Sequence, residues 1–270
     1  MTKLYALLKP DNFLQESYQK SLRVLREDGF GVLNYRILKV NSDLLAQMYI
    51  KDFSPDLDFY SFNNQLFDFA PAIALILEKD GMKQEDFCAL KGSAIPEWIK
   101  DKNHLRYKMK AQTRIFNRIH IPQTTKQAYI ESNIVFGDNR EQVGGYKKLL
   151  IELKNSRYCK RLVSPHMLWC IIKYRIACML QASDLLKNML KERCLFRDET
   201  EIILWEIMAH TRTDLIERQI IRMIMKLNNQ NLACSVYNLD YFWHCLELKR
   251  IFVSKIERYY LNGYFLYPTR

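Results

Sequence analysis

The feature that most constrains the fold is a change in the spacing of apolar residues near the middle of the chain. In residues 1–138, short apolar runs typical of strands alternate with segments that have helical spacing. In residues 146–270, apolar side chains recur at intervals of three and four, for example at Leu168, Ile172 and Ile176, and no strand is predicted. The sequence therefore predicts two domains, and the second of them is all-α.

The first predicted domain has the element order of an antiparallel sandwich. The predicted strands are Lys3–Leu8, Gly31–Val40, Ala72–Leu77 and Arg114–Ile121. The predicted helices are Gln15–Asp28, Ser42–Tyr49, Phe59–Phe67, Lys83–Leu90 and a helix that starts after Thr124 or Thr125. Ser42 is the expected cap of its helix, and Pro122 ends the last strand because proline cannot donate to a sheet. This order suits an α+β fold with a βαββαβ antiparallel sheet.

His120 is the candidate nucleophile, because it lies at the end of the last predicted strand, beside a turn and a helix. Glu131 follows eleven residues later, in the second turn of that helix. The two side chains can meet across the turn as an imidazole and the carboxylate that orients it. A histidine between isoleucines is by itself more often a packed core residue, so this interpretation depends on the motifs around it.

Five short motifs occur in an order that is found in one family. They are Lys9-Pro10-Asp11, Gly29-Phe30, Asp43-Leu44-Leu45 with Tyr49, Ala70 to Glu78, and Asn117-Arg118-Ile119-His120 with Ala128 and Glu131. Through them, residues 1 to about 138 resemble nucleoside diphosphate kinase. The resemblance implies a ferredoxin-like fold in this half. It also implies transfer of the γ-phosphoryl group of a nucleoside triphosphate, through a phosphohistidine, to a nucleoside diphosphate or another acceptor.

The resemblance also implies a role for each site residue. His120 would be the catalytic nucleophile, Glu131 would orient it, and Lys9 would hold phosphate beside it. The residues that would bind the nucleotide are Lys9 and Arg106 at the phosphates, Tyr49 near the nucleophile, Phe59 on the base and Asn117 on the sugar hydroxyl. Mg²⁺ would enter with the triphosphate and bridge its oxygens, so no metal site made of protein ligands is predicted.

The turn after the histidine departs from the family pattern. The family usually continues with Gly-Ser-Asp, whereas Ile121-Pro122-Gln123 follows here. The serine hydroxyl that supports the glutamate is therefore absent, and the carbonyl of Ile121 could fix the imidazole instead.

The phosphate clamp is also incomplete. The family's second phosphate-binding arginine aligns with Phe87, and its phosphate-binding threonine aligns near Ala94, so Ser93 or Lys91 would have to substitute. Loss of these charge-assisted hydrogen bonds predicts a slower transfer.

Basic charge is concentrated in the second predicted domain. The net charge of the chain is +11, and residues 1–138 supply only two of those charges. A basic helical domain of this kind can bind an acidic protein surface, RNA or an anionic membrane. Two hypotheses follow: a histidine-dependent phosphotransferase, or a catalytically degenerate nucleotide-binding module whose helical domain binds a macromolecular partner.

Composition restricts the location that we expect. The longest apolar run, Phe69 to Leu77, is too short to span a bilayer, and the N-terminus leads directly into a strand without a signal peptide. Seven cysteines without CxxC pairs predict reduced thiols and a cytoplasmic protein, or the host cytosol for a secreted effector. The resemblance further implies a homo-oligomer, which the additional helical domain could block.

Overall fold

The computed structural model describes ten segments of the chain: residues 3–14, 17–48, 65–95, 98–137, 145–155, 168–169, 171–173, 175–176, 215–228 and 236–266. The chain divides into two compact units, the first formed by Met1–Arg161 with Thr269–Arg270 and the second by Leu162–Pro268. Among the helices described, none combines the length and the hydropathy of a membrane span.

A sheet of four antiparallel strands forms the centre of the first unit. The strands are β1 Lys3–Leu8, β2 Gly31–Leu38, β3 Ala72–Glu78 and β4 Ile119–His120. Their spatial order is β2-β3-β1-β4, and every strand pair runs antiparallel. The two central strands, β1 and β3, are almost entirely buried, as their apolar sequences predict. The predicted ferredoxin-like fold of this half is confirmed.

Within the described residues of the first unit, seven helices or helical turns connect the strands or follow them. They are α1 Asp11–Leu14, α2 Tyr18–Glu27, α3 Ser42–Met48, α4 Gln84–Lys91, α5 Leu105–Lys108, α6 Thr125–Phe136 and α7 Tyr146–Asn155. Thr124 caps α6 as predicted, because its side chain accepts the N–H of Gln127. The predicted cap of α3 is wrong: the side chain of Asn41 accepts the N–H of Leu44 at 2.9 Å. The helix predicted at Phe59–Phe67 lies mostly outside the described residues.

The strand predicted over Arg114–Ile121 is wrong for most of its length. Only Ile119 and His120 pair with β1. The hydroxyl of Thr113 accepts the backbone N–H groups of Ile115 and Phe116, which bends the chain into a turn. These two side chains are fully buried, so their apolar character reflects packing in the core and not membership of a strand.

A buried ion pair anchors the chain immediately before β4. Arg118 has a φ of 69°, in the left-handed region. Its backbone N–H donates to Asp11 Oδ2 at 3.0 Å, and its guanidinium donates to the Asp11 carbonyl at 2.9 Å and to Ser17 Oγ at 2.7 Å. The amide of Asn12 donates to the carbonyls of both Lys9 and Arg118. The turn after β1 therefore holds the segment that leads into β4.

Helix α7 belongs to the first unit by its contacts. The hydroxyl of Tyr35 on β2 donates to Glu152 Oε2 at 2.8 Å, and the Arg26 guanidinium lies 5.3 Å from the centre of the Tyr146 ring. Burial, followed by the neighbouring Glu152, raises the pKa of Tyr35 to about 12. The predicted domain limits, 1–138 and 146–270, stay a prediction, and these contacts assign α7 to the unit that contains the sheet.

The described residues of the second unit are helical, apart from residues 249–254 between two of its helices. Its main helices are α8 Leu215–Asn228, α9 Val236–Leu248 and α10 Lys255–Leu266. Leu168, Ile172 and Ile176 are buried, as their spacing predicts. Helix α9 ends at Leu248, and the Ser254 hydroxyl accepts the N–H of Glu257 at the start of α10. The all-α character of the rest of this unit stays a prediction.

Replacement of Arg118 by methionine tests the anchor before β4. We expect Arg118→Met to lower the free energy of unfolding of the first unit by about 3–5 kcal/mol, because Asp11 would remain buried without its cation. The measurement is urea denaturation of the parent protein and the variant.

Two further variants serve as controls for this experiment. Arg23 lies on the exposed side of α2, so Arg23→Met should unfold like the parent. The double variant Asp11→Asn/Arg118→Met should recover much of the loss, because it removes both buried charges. Equal stability of Arg118→Met and the parent protein would show that the ion pair does not anchor β4.

Candidate active site

His120 lies on β4 with a nearly buried imidazole. The residue pairs with Leu7 of β1, and 9% of its surface is exposed. Its Nε2 lies 2.9 Å from Oε2 of Glu131. Where the carboxylate is ionised it can only accept, so the hydrogen of this contact is then on Nε2. The structure thus brings together the two residues that the sequence paired.

Glu131 is fully buried, and both of its oxygens have partners. While Oε2 faces the imidazole, Oε1 accepts a hydrogen bond from the side-chain amide of Gln127 at 2.9 Å. Sequence reasoning missed Gln127. Its position four residues before Glu131, on the same face of α6, was the available signal.

Lys9 lies on the same face of the sheet as His120. Its backbone N–H donates to the carbonyl of Arg118 at 2.9 Å, which continues the β1–β4 ladder by one pair beyond Leu8. Because His120 pairs with Leu7, two residues earlier on β1, the alternation of side chains places Lys9 and His120 on one face.

The ammonium of Lys9 is buried. Nζ donates to the carbonyl of Ile115 at 2.7 Å. Burial lowers the pKa of Lys9 from 10.5 to about 8; Asp11 opposes this shift, and Arg106 adds to it. An anion that enters beside Lys9 would favour its charged form.

Arg106, the second predicted phosphate-binding cation, also contacts the strand that carries the histidine. Its guanidinium donates to the carbonyl of Ile119 at 3.0 Å and to that of Gly92 at 3.1 Å. Gly92 has a φ of 80°, and a Cβ atom at this position would lie 2.8 Å from Cβ of His104. Only glycine therefore fits this turn without displacing His104. Sequence reasoning missed this requirement for glycine at position 92.

The remaining predicted nucleotide-binding residues are only partly described. Asn117 is buried, and its amide nitrogen donates to the carbonyl of Arg114 at 2.6 Å. Within the part of the chain that the structure describes, no donor lies within hydrogen-bond distance of Asn117 Oδ1. Tyr49 and Phe59 lie outside the described residues. The roles of all three in binding a nucleotide stay predictions.

Helix α4 holds the turn that follows the histidine. Lys91 Nζ donates to the carbonyl of Ile121 at 2.9 Å, and the amide of Gln84 donates to that of Pro122 at 3.2 Å. The carboxylate of Glu85 accepts both the N–H and the hydroxyl of Thr125, and the N–H bond is the main cause that lowers the pKa of Glu85. The Ile121 carbonyl thus accepts from Lys91, and its expected role in fixing the imidazole stays a prediction.

The edge of β4 that faces away from β1 is covered by basic side chains. In an antiparallel ladder the carbonyls of alternate residues point to opposite sides. Those of Ile119 and Ile121 point outward, because the Arg118 carbonyl is bound by Lys9 of β1. Arg106 and Lys91 occupy these outward acceptors. Two cations are therefore fixed on either side of the residue that carries the candidate nucleophile.

The described part of the chain offers no metal site made of protein ligands. No group of three or more His, Cys, Asp or Glu side chains within it could hold a metal ion. Cys88 and Cys245, the cysteines that fall within the described ranges, are free thiols, in keeping with the predicted reduced state.

The chain is similar to a number of solved structures. The chain is similar to a nucleoside diphosphate kinase family protein of Babesia bovis, with 18% identity, 52% of this chain and 91% of that chain covered, and a TM-score of 0.44. The nucleoside diphosphate kinase of Aquifex aeolicus is 17% identical, with 50% of this chain and 94% of that chain covered and a TM-score of 0.44. The nucleoside diphosphate kinase of Encephalitozoon cuniculi is 16% identical, with 56% of this chain and 99% of that chain covered and a TM-score of 0.46.

With TM-scores below 0.5 these structural likenesses assign nothing by themselves, and the search of curated proteins found no match. The assignment depends on the sequence model of the family described as nucleoside diphosphate kinase, which matches residues 2–140. That range includes all four strands, the histidine on β4 and the carboxylate on α6. The chain therefore belongs to the nucleoside diphosphate kinase family.

Proposed function

We propose that the first unit is a nucleotide-dependent phosphotransferase that uses His120 as its nucleophile. The observation that carries the proposal is the contact between Nε2 of His120 and the buried carboxylate of Glu131. In this proposal Nδ1 is the nucleophilic atom. Family membership supports nucleotide binding. The buried cations of Lys9 and Arg106 supply the positive charge that a triphosphate requires.

The first step transfers the γ-phosphoryl group to the imidazole. The lone pair of Nδ1 attacks the γ-phosphorus, and the bond from that phosphorus to the β–γ bridging oxygen breaks, so that the diphosphate leaves with the electron pair. The hydrogen on Nε2 stays in place and the ring becomes positively charged. Glu131 stabilises this charge because it accepts the Nε2–H bond at short range. A nucleoside diphosphate or another acceptor then removes the phosphoryl group from His120.

Position and charge supply most of the catalysis in a phosphoryl transfer. In this proposal Lys9 and Arg106 hold the phosphates, Tyr49 and Phe59 contact the nucleotide, and Asn117 binds the sugar. Mg²⁺ held by the phosphate oxygens would offset more of their negative charge.

Labelling with a γ-labelled triphosphate tests the proposal. We expect the parent protein, with millimolar Mg²⁺, to acquire an acid-labile and alkali-stable label that is absent from His120→Ala. His244 lies exposed on α9, so His244→Ala should be labelled like the parent. A parent protein without label would reject the phosphotransferase. If it still bound nucleotide, the alternative of a degenerate nucleotide-binding module with a basic partner-binding domain would be favoured.

The pKa of Lys9 generates a second prediction. Because this pKa is lowered to about 8 in the folded protein, Lys9 is mostly neutral above that pH. A bound triphosphate favours the charged form, so binding should take up nearly one proton at about pH 9, and affinity should fall as the pH rises through this range. Calorimetry in two buffers of different ionisation enthalpy measures the uptake.

Replacement of the lysine isolates its contribution. Lys9→Met should bind the triphosphate more weakly and should lose the proton uptake. Lys39 is exposed at the end of β2, so Lys39→Met should behave like the parent. Equal uptake in Lys9→Met and the parent would show that another group responds to the nucleotide and that Lys9 does not hold the phosphates.

A further inference from the structure

The carboxylate of Glu131 depends on a donor that follows the histidine in the chain. Glu131 is 0% exposed, so water does not reach its oxygens from the surface. One oxygen, Oε2, faces the imidazole at 2.9 Å, and the other, Oε1, receives the amide N–H of Gln127 at 2.9 Å. A buried carboxylate oxygen without a donor is costly. Gln127 therefore determines which oxygen remains for His120.

The amide of Gln127 is itself held in one orientation. Its Oε1 accepts the backbone N–H of Gln123 at 3.2 Å, while its Nε2 donates to Glu131. Reversal of the amide would set a nitrogen against the N–H of Gln123 and an oxygen against a carboxylate. The backbone N–H of Gln127 is bound by the Thr124 hydroxyl at 3.2 Å. Contacts at the start of α6 thus fix both ends of the residue.

We propose that Gln127 is a positioning residue for phosphoryl transfer at His120. It locks Glu131 with Oε2 toward Nε2, and this favours the tautomer of the imidazole that has its hydrogen on Nε2. It supplies from α6 the support that the sequence lacks at Ile121-Pro122-Gln123. The inference rests on the proposed function for its kinetic consequence, although the state of the imidazole can be measured without any nucleotide.

Loss of the donor has a defined consequence for pH dependence. Without Gln127 the ionised carboxylate has one hydrogen bond fewer, so its protonation becomes easier and its hold on Nε2–H weaker. The rate of transfer should then fall first on the acidic side of the pH profile. Nucleotide affinity should not change, because Gln127 contacts the carboxylate and not the phosphates.

Single-turnover labelling of Gln127→Met measures this effect. We expect His120 to be phosphorylated about 10- to 100-fold more slowly, with the acidic limb of the rate profile shifted to higher pH. The triphosphate concentration that gives half the maximal rate should stay within about twofold. Gln19 lies exposed on α2, and Gln19→Met is the matched control that should label like the parent.

Gln127→Glu provides a second variant of the same shape. Its ionised carboxylate repels Glu131, so transfer should be slow near neutral pH. Its protonated form can donate as glutamine does, so part of the rate should return as the pH falls, opposite to the trend in Gln127→Met. A variant that follows the parent at every pH would overturn the inference.

Nitrogen NMR of the His120 ring separates the inference from the proposed function. The parent protein should show the tautomer with hydrogen on Nε2, and Gln127→Met should show a mixture of tautomers. If the parent acquires no label but the tautomer changes in this way, the proposed function fails and the positioning role stands. An unchanged tautomer together with an unchanged labelling rate in Gln127→Met would overturn the positioning role alone.

Discussion

The short antiparallel contact between β1 and β4 is the constraint on which the candidate site depends. Only two residue pairs form this ladder in the usual sense, Leu7 with His120 and Leu8 with Ile119. So few backbone bonds, each contributing about 1 kcal/mol, would not hold a strand in register by themselves. Hydrogen bonds from side chains to the backbone of Arg118 supply the rest of the stabilisation. The carboxylate of Asp11 binds the N–H of Arg118, and Asn12 binds its carbonyl.

Basic side chains link this structural support to the proposed chemistry. Lys9, Arg106 and Lys91 each donate to a backbone carbonyl, those of Ile115, Ile119 and Ile121 respectively. An ammonium carries three donors and a guanidinium five, so each of these cations can form more than one hydrogen bond. The same burial that makes these bonds strong also lowers the pKa of Lys9. Burial of these basic side chains therefore affects both where the positive charge is held and how the charge of Lys9 depends on pH.

Contacts made by α6 and α4 lie where the sequence departs from the family pattern. The sequence lacks the serine after the histidine, and Gln127, four residues before Glu131 on the same face of α6, donates to Glu131. The turn after His120 lacks the family's glycine, and Gln84, Glu85 and Lys91 of α4 bind that turn along its length. The spacing of Gln127 and Glu131 is visible in the sequence, whereas the contacts of α4 are not visible as a motif. Both arrangements require a helix face to be oriented toward the end of a particular strand.

The sequence by itself determined the antiparallel fold of the first half, because continuous apolar runs such as β1 and β3 have few alternatives to burial in a sheet. It also paired His120 with Glu131 through their spacing. It misjudged Arg114–Ile121, because β-branched and aromatic residues fill a core as readily as they form a strand. Only the tertiary structure decided that Gly92 must be glycine, because His104 lies against it, and that Glu131 of α6 contacts His120 of β4 through Oε2. These outcomes depend on which side chains approach one another across elements, and local sequence patterns do not encode those distances.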